Sequence, residues 1–135
     1  MLNARIGREL VVRAPNEPGS IATLAKLIAD RGVNLTSICQ WVEGDEAVIR
    51  LVTEDNLRVS DDFREKNIKY KETEVVLVDL ANKVGMMRHV TEAFAERAIE
   101  LKHLYMTATP DQDRCLLVCS TAHNERAMVA LNEYG

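Results

Sequence analysis

The chain repeats itself, and this constrains its architecture more than any other feature. Sliding the 135 residues by 66 positions places Gly85 on Gly19, Asn82 on Asn16, Val78 on Val12, Arg97 on Arg31 and Leu101 on Leu35. A slide of 68 places Leu116-Leu117 on Val48-Ile49, Thr121 on Thr53 and Asn124 on Asn56. The two-residue change falls between Trp41 and Ala47 in one copy and between Thr107 and Cys115 in the other, where a hairpin loop absorbs an insertion. A chain built this way folds as one supersecondary unit used twice.

Each copy predicts the same order of elements. Leu10-Val11-Val12 and Val75-Val76-Leu77-Val78 are β-rich runs closed by turn formers, Ala14 to Gly19 and Asn82 to Gly85. A helix follows in the first copy, with Ile21, Leu24, Leu27 and Ile28 at helical spacing, Ser20 as its cap and Gly32 at its left-handed end. Met87, Val90 and Phe94 keep that face in the second copy. Then come strands Val33 to Val42 and Ala47 to Thr53 around Gly44-Asp45, matched by Ile99 to Ala108 and Cys115 to Ser120 around Pro110-Asp111. Second helices are expected over Asp55 to Lys66 and Asn124 to Glu133, and Ile68 to Thr73 reads as a fourth strand running into Glu74 to Leu80. The expected fold is α+β: two ferredoxin-like βαββαβ repeats side by side, residues 1–73 and 74–135, with helices on one face of antiparallel sheets. The fourth strand of the second repeat is missing from this reading, left open or supplied by a partner chain.

The residues themselves suggest a family. A strand, then Asn16-Glu17-Pro18-Gly19-Ser20-Ile21, a helix, and Arg31-Gly32-Val33-Asn34-Leu35 resembles the ACT domain, a small regulatory module of amino-acid metabolism. Asn82-Lys83-Val84-Gly85-Met86-Met87 resembles it more loosely, with Val84 for the usual Pro, Ala98 for Gly and Glu100 where the first copy has Asn34. The two copies leave only about nine leading residues outside, so the chain looks like a stand-alone tandem ACT protein. The resemblance implies binding of a small ligand, usually an amino acid, where two ACT domains meet. On that reading Asn16, Glu17, Pro18, Gly19, Ser20 and Ile21 form one wall, and Asn34, Leu35 and Ile38 meet the ligand's side chain across the cleft. Asn82, Val84, Gly85, Met86 and Met87 repeat the first wall. Physical chemistry supports the Gly19 turn independently, because glycine lets backbone approach a ligand and a helix start offers unpaired N–H groups to a carboxylate. The alternative is a tight strand-to-helix connection that binds nothing, and the replacement of Glu17-Pro18 by Lys83-Val84 strengthens that alternative in the second copy.

Other chemistries find little support. Ser20, Ser37, Ser60 and Ser120 lie in no nucleophile-elbow motif, His89 falls on the solvated side of a helix, His123 begins the last helix, and His103 sits in a strand. The Asp61-Asp62 and Glu43-Asp45-Glu46 clusters read as solvated turns or helix ends. No phosphate loop of either glycine-rich kind occurs. The halves 1–67 and 68–135 carry 9 and 8 basic against 11 and 10 acidic groups, so no basic field points to nucleic acid or lipid. No apolar run exceeds five residues, which argues against a membrane span. Three cysteines without metal or redox spacing suggest a reducing, cytoplasmic setting; Cys115 and Cys119, four strand steps apart, stand about 13 Å from each other and cannot pair.

The sequence therefore predicts a non-enzymatic module with no cofactor and no metal that binds an amino acid or related molecule and signals to a partner. The expected partners are a second copy in a homodimer and an enzyme of amino-acid metabolism. The rival reading is an assembly module whose sheets pair between chains without a small ligand. Trp41, near the end of a long strand, is expected to pack against a neighbouring sheet or dimer mate.

Overall fold

The computed structural model describes residues 2–133. The element order is β1 (Leu2–Pro15), α1 (Pro18–Asp30), β2 (Leu35–Glu43), β3 (Glu46–Thr53), α2 (Asn56–Glu65), β4 (Lys71–Ala81), α3 (Met86–Glu96), β5 (Leu101–Thr107), β6 (Arg114–Thr121) and α4 (Asn124–Glu133). Two compact units result, one of residues Arg8–Thr73 and one that joins the residues up to Gly7 with those from Glu74 onward. The leading segment thus belongs with the residues that follow Thr73.

In the first unit the strand order is β2-β3-β1, with Leu10 opposite Leu51 and Ile38 opposite Leu51 across antiparallel ladders. Alternation along these strands sends Leu10, Val12, Ile49 and Leu51 to one face, where α1 and α2 cover them with Leu24, Leu27, Ile28, Val59 and Phe63. Helix α1 ends because Gly32 takes a φ of 69°, so that the amides of Gly32 and Val33 turn back to the carbonyls of Ala29 and Ile28. Helix α2 starts at Asp55, whose carboxylate accepts from the Arg58 amide at 3.2 Å, and ends the same way with Asn67 in the left-handed position. That ending draws Ile68 onto the core through its amide bond to Phe63. Strand β4 consequently starts at Lys71, three residues later than the apolar pattern suggests.

The second unit repeats this plan with the order β1-β4-β6-β5, in which only the beginning of β1 takes part. Val78 lies opposite Leu117 and Leu104 opposite Cys119, and the core gathers Val76, Leu80, Val90, Phe94, Leu117 and Leu131. Its fourth strand is neither missing nor borrowed. Leu2 and Ala4 are buried in this core and Ile6 packs against it, while the amide and carbonyl of Ala4 bond the two ends of the Asn132 side-chain amide at 2.8 and 3.0 Å. Residues 2–9 thus fall within β1 rather than outside the fold, and Met1 lies outside the described residues. Gly7 is the residue that permits this, since a Cβ there would stand 2.7 Å from Leu77 Cγ.

The polar frame is duplicated as faithfully as the apolar one. Asn56 accepts the amide and hydroxyl of Thr53 and donates to the Arg8 carbonyl; Asn124 does the same for Thr121 and donates to the Glu74 carbonyl. Arg58 reaches the Arg31 carbonyl at 3.2 Å and Arg126 the Arg97 carbonyl at 3.1 Å. No helix is long and apolar enough to cross a membrane, and no metal-holding group of His, Cys, Asp or Glu occurs among the described residues.

Candidate functional site

The turn joining β1 to α1 is exposed from Pro15 to Gly19 and is held from behind. The Asn16 amide donates to the Asp45 carbonyl at 3.0 Å, which ties the turn to the β2–β3 hairpin. Pro18 occupies the first helical position, where its missing N–H costs nothing, and Glu17 is the N-cap without a side-chain bond. Ser20 is therefore not the cap; it lies inside the first turn and its hydroxyl donates to the Pro15 carbonyl at 2.7 Å. Among the described residues the Gly19 amide and the whole side-chain amide of Asn16 have no partner, beside open space at the Gly19 Cα. A carboxylate suits the former, an ammonium group the carbonyl oxygen of the latter.

The second repeat uses the same turn differently. Asn82 again ties its amide back to a hairpin, through the Asp113 carbonyl at 2.8 Å, but its side chain is also engaged, donating to the carbonyls of Thr109 and Gln112 at 2.9 and 3.0 Å. Gly85, with a φ of 91°, is the N-cap, and α3 starts two residues later than α1 does in the matched numbering. Met86 is buried and Met87 packs on the same core, so neither lines an open pocket, while Val84 is fully exposed.

The remaining residues expected at the site lie elsewhere in the first unit. Asn34 and Leu35 follow the far end of α1, which lies about 15 Å from Ser20 by the helical rise. The Asn34 carbonyl accepts the Glu54 amide, and Ile38, 43% exposed, lies on the edge strand β2. One domain thus carries the two walls apart from each other. A cavity of about 410 Å³ adjoins the start of α1, lined by Val12, Pro15, Ser20, Leu24, Ile68 and Lys69 among others. The sequence did not single out Ile68 and Lys69; only their position after the left-handed Asn67 signals that they leave the strand.

Titratable groups elsewhere have structural duties. Asp62 is buried, not solvated, and Arg31 beside it at 2.9 Å holds its carboxyl below the usual range, aided by Lys66 and opposed by burial. Burial pushes the Cys119 thiol up to about 12 and raises that of Cys39, so neither is a ready nucleophile. Trp41 lies under the Arg50 guanidinium, 5.4 Å from the ring centre, and donates its indole N–H to Glu43 at 2.7 Å.

Two family models match this chain: the ACT domain over residues 8–63, and the AHAS small subunit-like ACT domain over residues 76–134. The protein is a tandem of two ACT domains. Neither match is to a catalytic family. Among solved structures, a protein from Bacteroides thetaiotaomicron is similar in fold with a TM-score of 0.88 at 17% identity, covering 98% of this chain and 90% of that one. The ligand-free regulatory subunit of aspartate kinase from Thermus thermophilus follows at 0.67 and 13%, with 96% and 95% covered. That from Thermus flavus gives 0.60 and 14%, with 98% and 95% covered. No curated protein matches the sequence.

Proposed function

We propose that this tandem ACT protein is a non-catalytic regulatory module that binds an amino acid or a related small molecule at the β1–α1 turn of its first domain. The observation that carries the reading is the contrast between two matched asparagines: Asn82 spends its side chain on the neighbouring hairpin, whereas Asn16 presents a free amide next to the open Gly19 backbone. An asparagine bonded to a neighbouring loop serves the fold, whereas an exposed one held only by its own backbone leaves its side-chain amide available to a ligand. Because Asn34 and Leu35 lie at the other end of the domain and Ile38 midway along edge strand β2, the ligand's side chain is met where a second ACT domain abuts the first. Ligand-dependent strengthening of that contact, within a homodimer, changes the surface offered to an enzyme of amino-acid metabolism. The regulatory subunits of aspartate kinase among the similar folds support such a partner. A cytoplasmic setting agrees with three free cysteines.

The test is a thermal-shift screen with the twenty amino acids, in which a ligand at one hundred times its Kd adds about 2.7 kcal/mol of stability. One amino acid or a related few should shift the transition, and Gly19→Asp, which places an acid at the carboxylate position, should abolish the shift while leaving the unliganded transition in place. If no amino acid acts, the reading fails. The exposed Ile38 and Val42 on edge strand β2 then favour the rival, an assembly module that pairs its sheet with another chain. Removing the first nine residues cannot separate these readings, because it would strip a core strand from the second domain.

A further inference from the structure

We infer that the first domain has a second binding site, adjoining the cavity at the start of α1 and sharing Arg13, Ile68 and Lys69 with it, for a small dianion carried on an apolar or aromatic body. It lies where Ile68, Lys69 and Tyr70 run beside the end of β1 as irregular backbone before β4 begins, around a cleft of about 590 Å³. That volume is within the range of small-molecule sites. Val11, Ile68 and Tyr70 supply an apolar wall, and Arg13, Lys69 and Lys71 supply cations against the single acid Glu46. The wall is fixed in place. Tyr70 stacks at a tilt on Phe63, with ring centres 5.7 Å apart, and its hydroxyl accepts a bond from Arg64; the Ile68 amide is held by the Phe63 carbonyl at 2.8 Å.

Charge decides what such a cleft would take. Arg13 is matched by Glu43 at 3.5 Å and Glu46 at 3.6 Å. Lys69 and Lys71 are exposed and have no ion pair among the described residues, which leaves two uncompensated positive charges side by side in a chain of net charge −4. Two lysines acting as point charges beside a planar aromatic wall suit a phosphate monoester or a dicarboxylate with an apolar portion. The site is not a generic consequence of the fold: in the second domain Leu2–Gly7 occupies the corresponding edge of β4 as regular strand.

Isothermal titration of the full chain at low salt with phenyl phosphate, glutarate and inorganic phosphate tests the assignment. Phenyl phosphate or glutarate should bind one to one, more tightly than inorganic phosphate. The paired change Lys69→Gln and Lys71→Gln should weaken this at least tenfold, while Lys83→Gln with Lys102→Gln, the same loss of charge elsewhere, should leave it within twofold. Binding should weaken with added salt and persist in Gly19→Asp, which separates this site from the amino-acid site. Preference for phenyl phosphate identifies a phosphate-ester site, preference for glutarate a dicarboxylate site, and equal binding a site that reads charge alone. Absence of binding by both organic probes, or equal weakening by the two paired changes, overturns the inference.

Discussion

The sheet faces turned away from the helices differ in kind between the two domains. In the first, Glu9 is fully buried and pairs with Arg50 at 2.6 Å, while the guanidinium Nε has no partner. The matched positions in the second, by the same offsets of 66 and 68, are Val75 and Val118, both fully buried. Two copies of one fold thus fill the same place with a desolvated ion pair and with a valine pair. The pair is not required by the architecture, and its cost in desolvation falls on the first domain alone.

The largest expected effect follows directly. Arg50→Val leaves Glu9 buried without its cation and should destabilise the protein by about 3–5 kcal/mol in urea denaturation. Adding Glu9→Val, which copies the second domain, should restore most of that loss; a double variant as unstable as the single one would show that the ion pair contributes more than a place-holder. Next in size is the asparagine comparison. Asn82→Ala removes two bonds that pin a hairpin and should cost about 1–3 kcal/mol, whereas Asn16→Ala should change stability by less than about 0.5 kcal/mol yet weaken ligand binding. Equal stability losses in thermal melts would erase the distinction between a structural and a recognition asparagine.

Smaller effects sharpen the same contrast at the helix ends. Three helices close with a left-handed residue, and these are Gly32, Asn67 and Ala98 with φ of 69°, 57° and 53°. Alanine is strained there, so Ala98→Gly should stabilise the protein by about 1 kcal/mol and Gly32→Ala should do the reverse. The subtlest difference is acid sensitivity. Asp62 has a depressed pKa, so the folded state binds fewer protons than the unfolded one; its stabilisation is complete above the ordinary value of 3.8 and is lost as pH falls through the lower folded value. The matched residue in the second domain is Ala130. Asp62→Asn should therefore flatten the acid limb of the stability profile below about pH 4, a range set by ordinary carboxylate titration.

Much of this was legible in the residues, for reasons that differ by feature. Both cores and every helix follow from periodicity that the two copies corroborate in each other. The leading strand escaped because comparing copies finds only what occurs twice, and Leu2–Gly7 has no duplicate; the alternation of Leu2, Ala4 and Ile6 with Asn3 and Arg5 was its own, short signal. The late start of β4 was hidden because Ile68 and Tyr70 are as β-prone as a strand requires, and only Asn67, apt for a left-handed turn, hints otherwise. Ser20 looked like a cap by residue type, yet Pro18 at the first helical position moves the start of α1 forward. Asp62 beside Asp61 looked solvated, but it lies three residues after Val59 on the buried side of α2, and Arg31 from another helix end makes that burial tolerable. Binding residues were least legible, since the walls expected to meet lie apart in one domain, which local sequence patterns do not reveal.

The ownership of the first strand also sets an order of assembly. All that the Arg8–Thr73 core needs is contiguous, so it can close as soon as those residues have left the ribosome. The other core must recruit Leu2–Gly7, which precedes the whole first domain in the chain, and cannot lock it until Asn132 has been made to grip Ala4. A segment made before the first domain is thus locked only after the second is complete, tethered to a finished neighbour in the meantime.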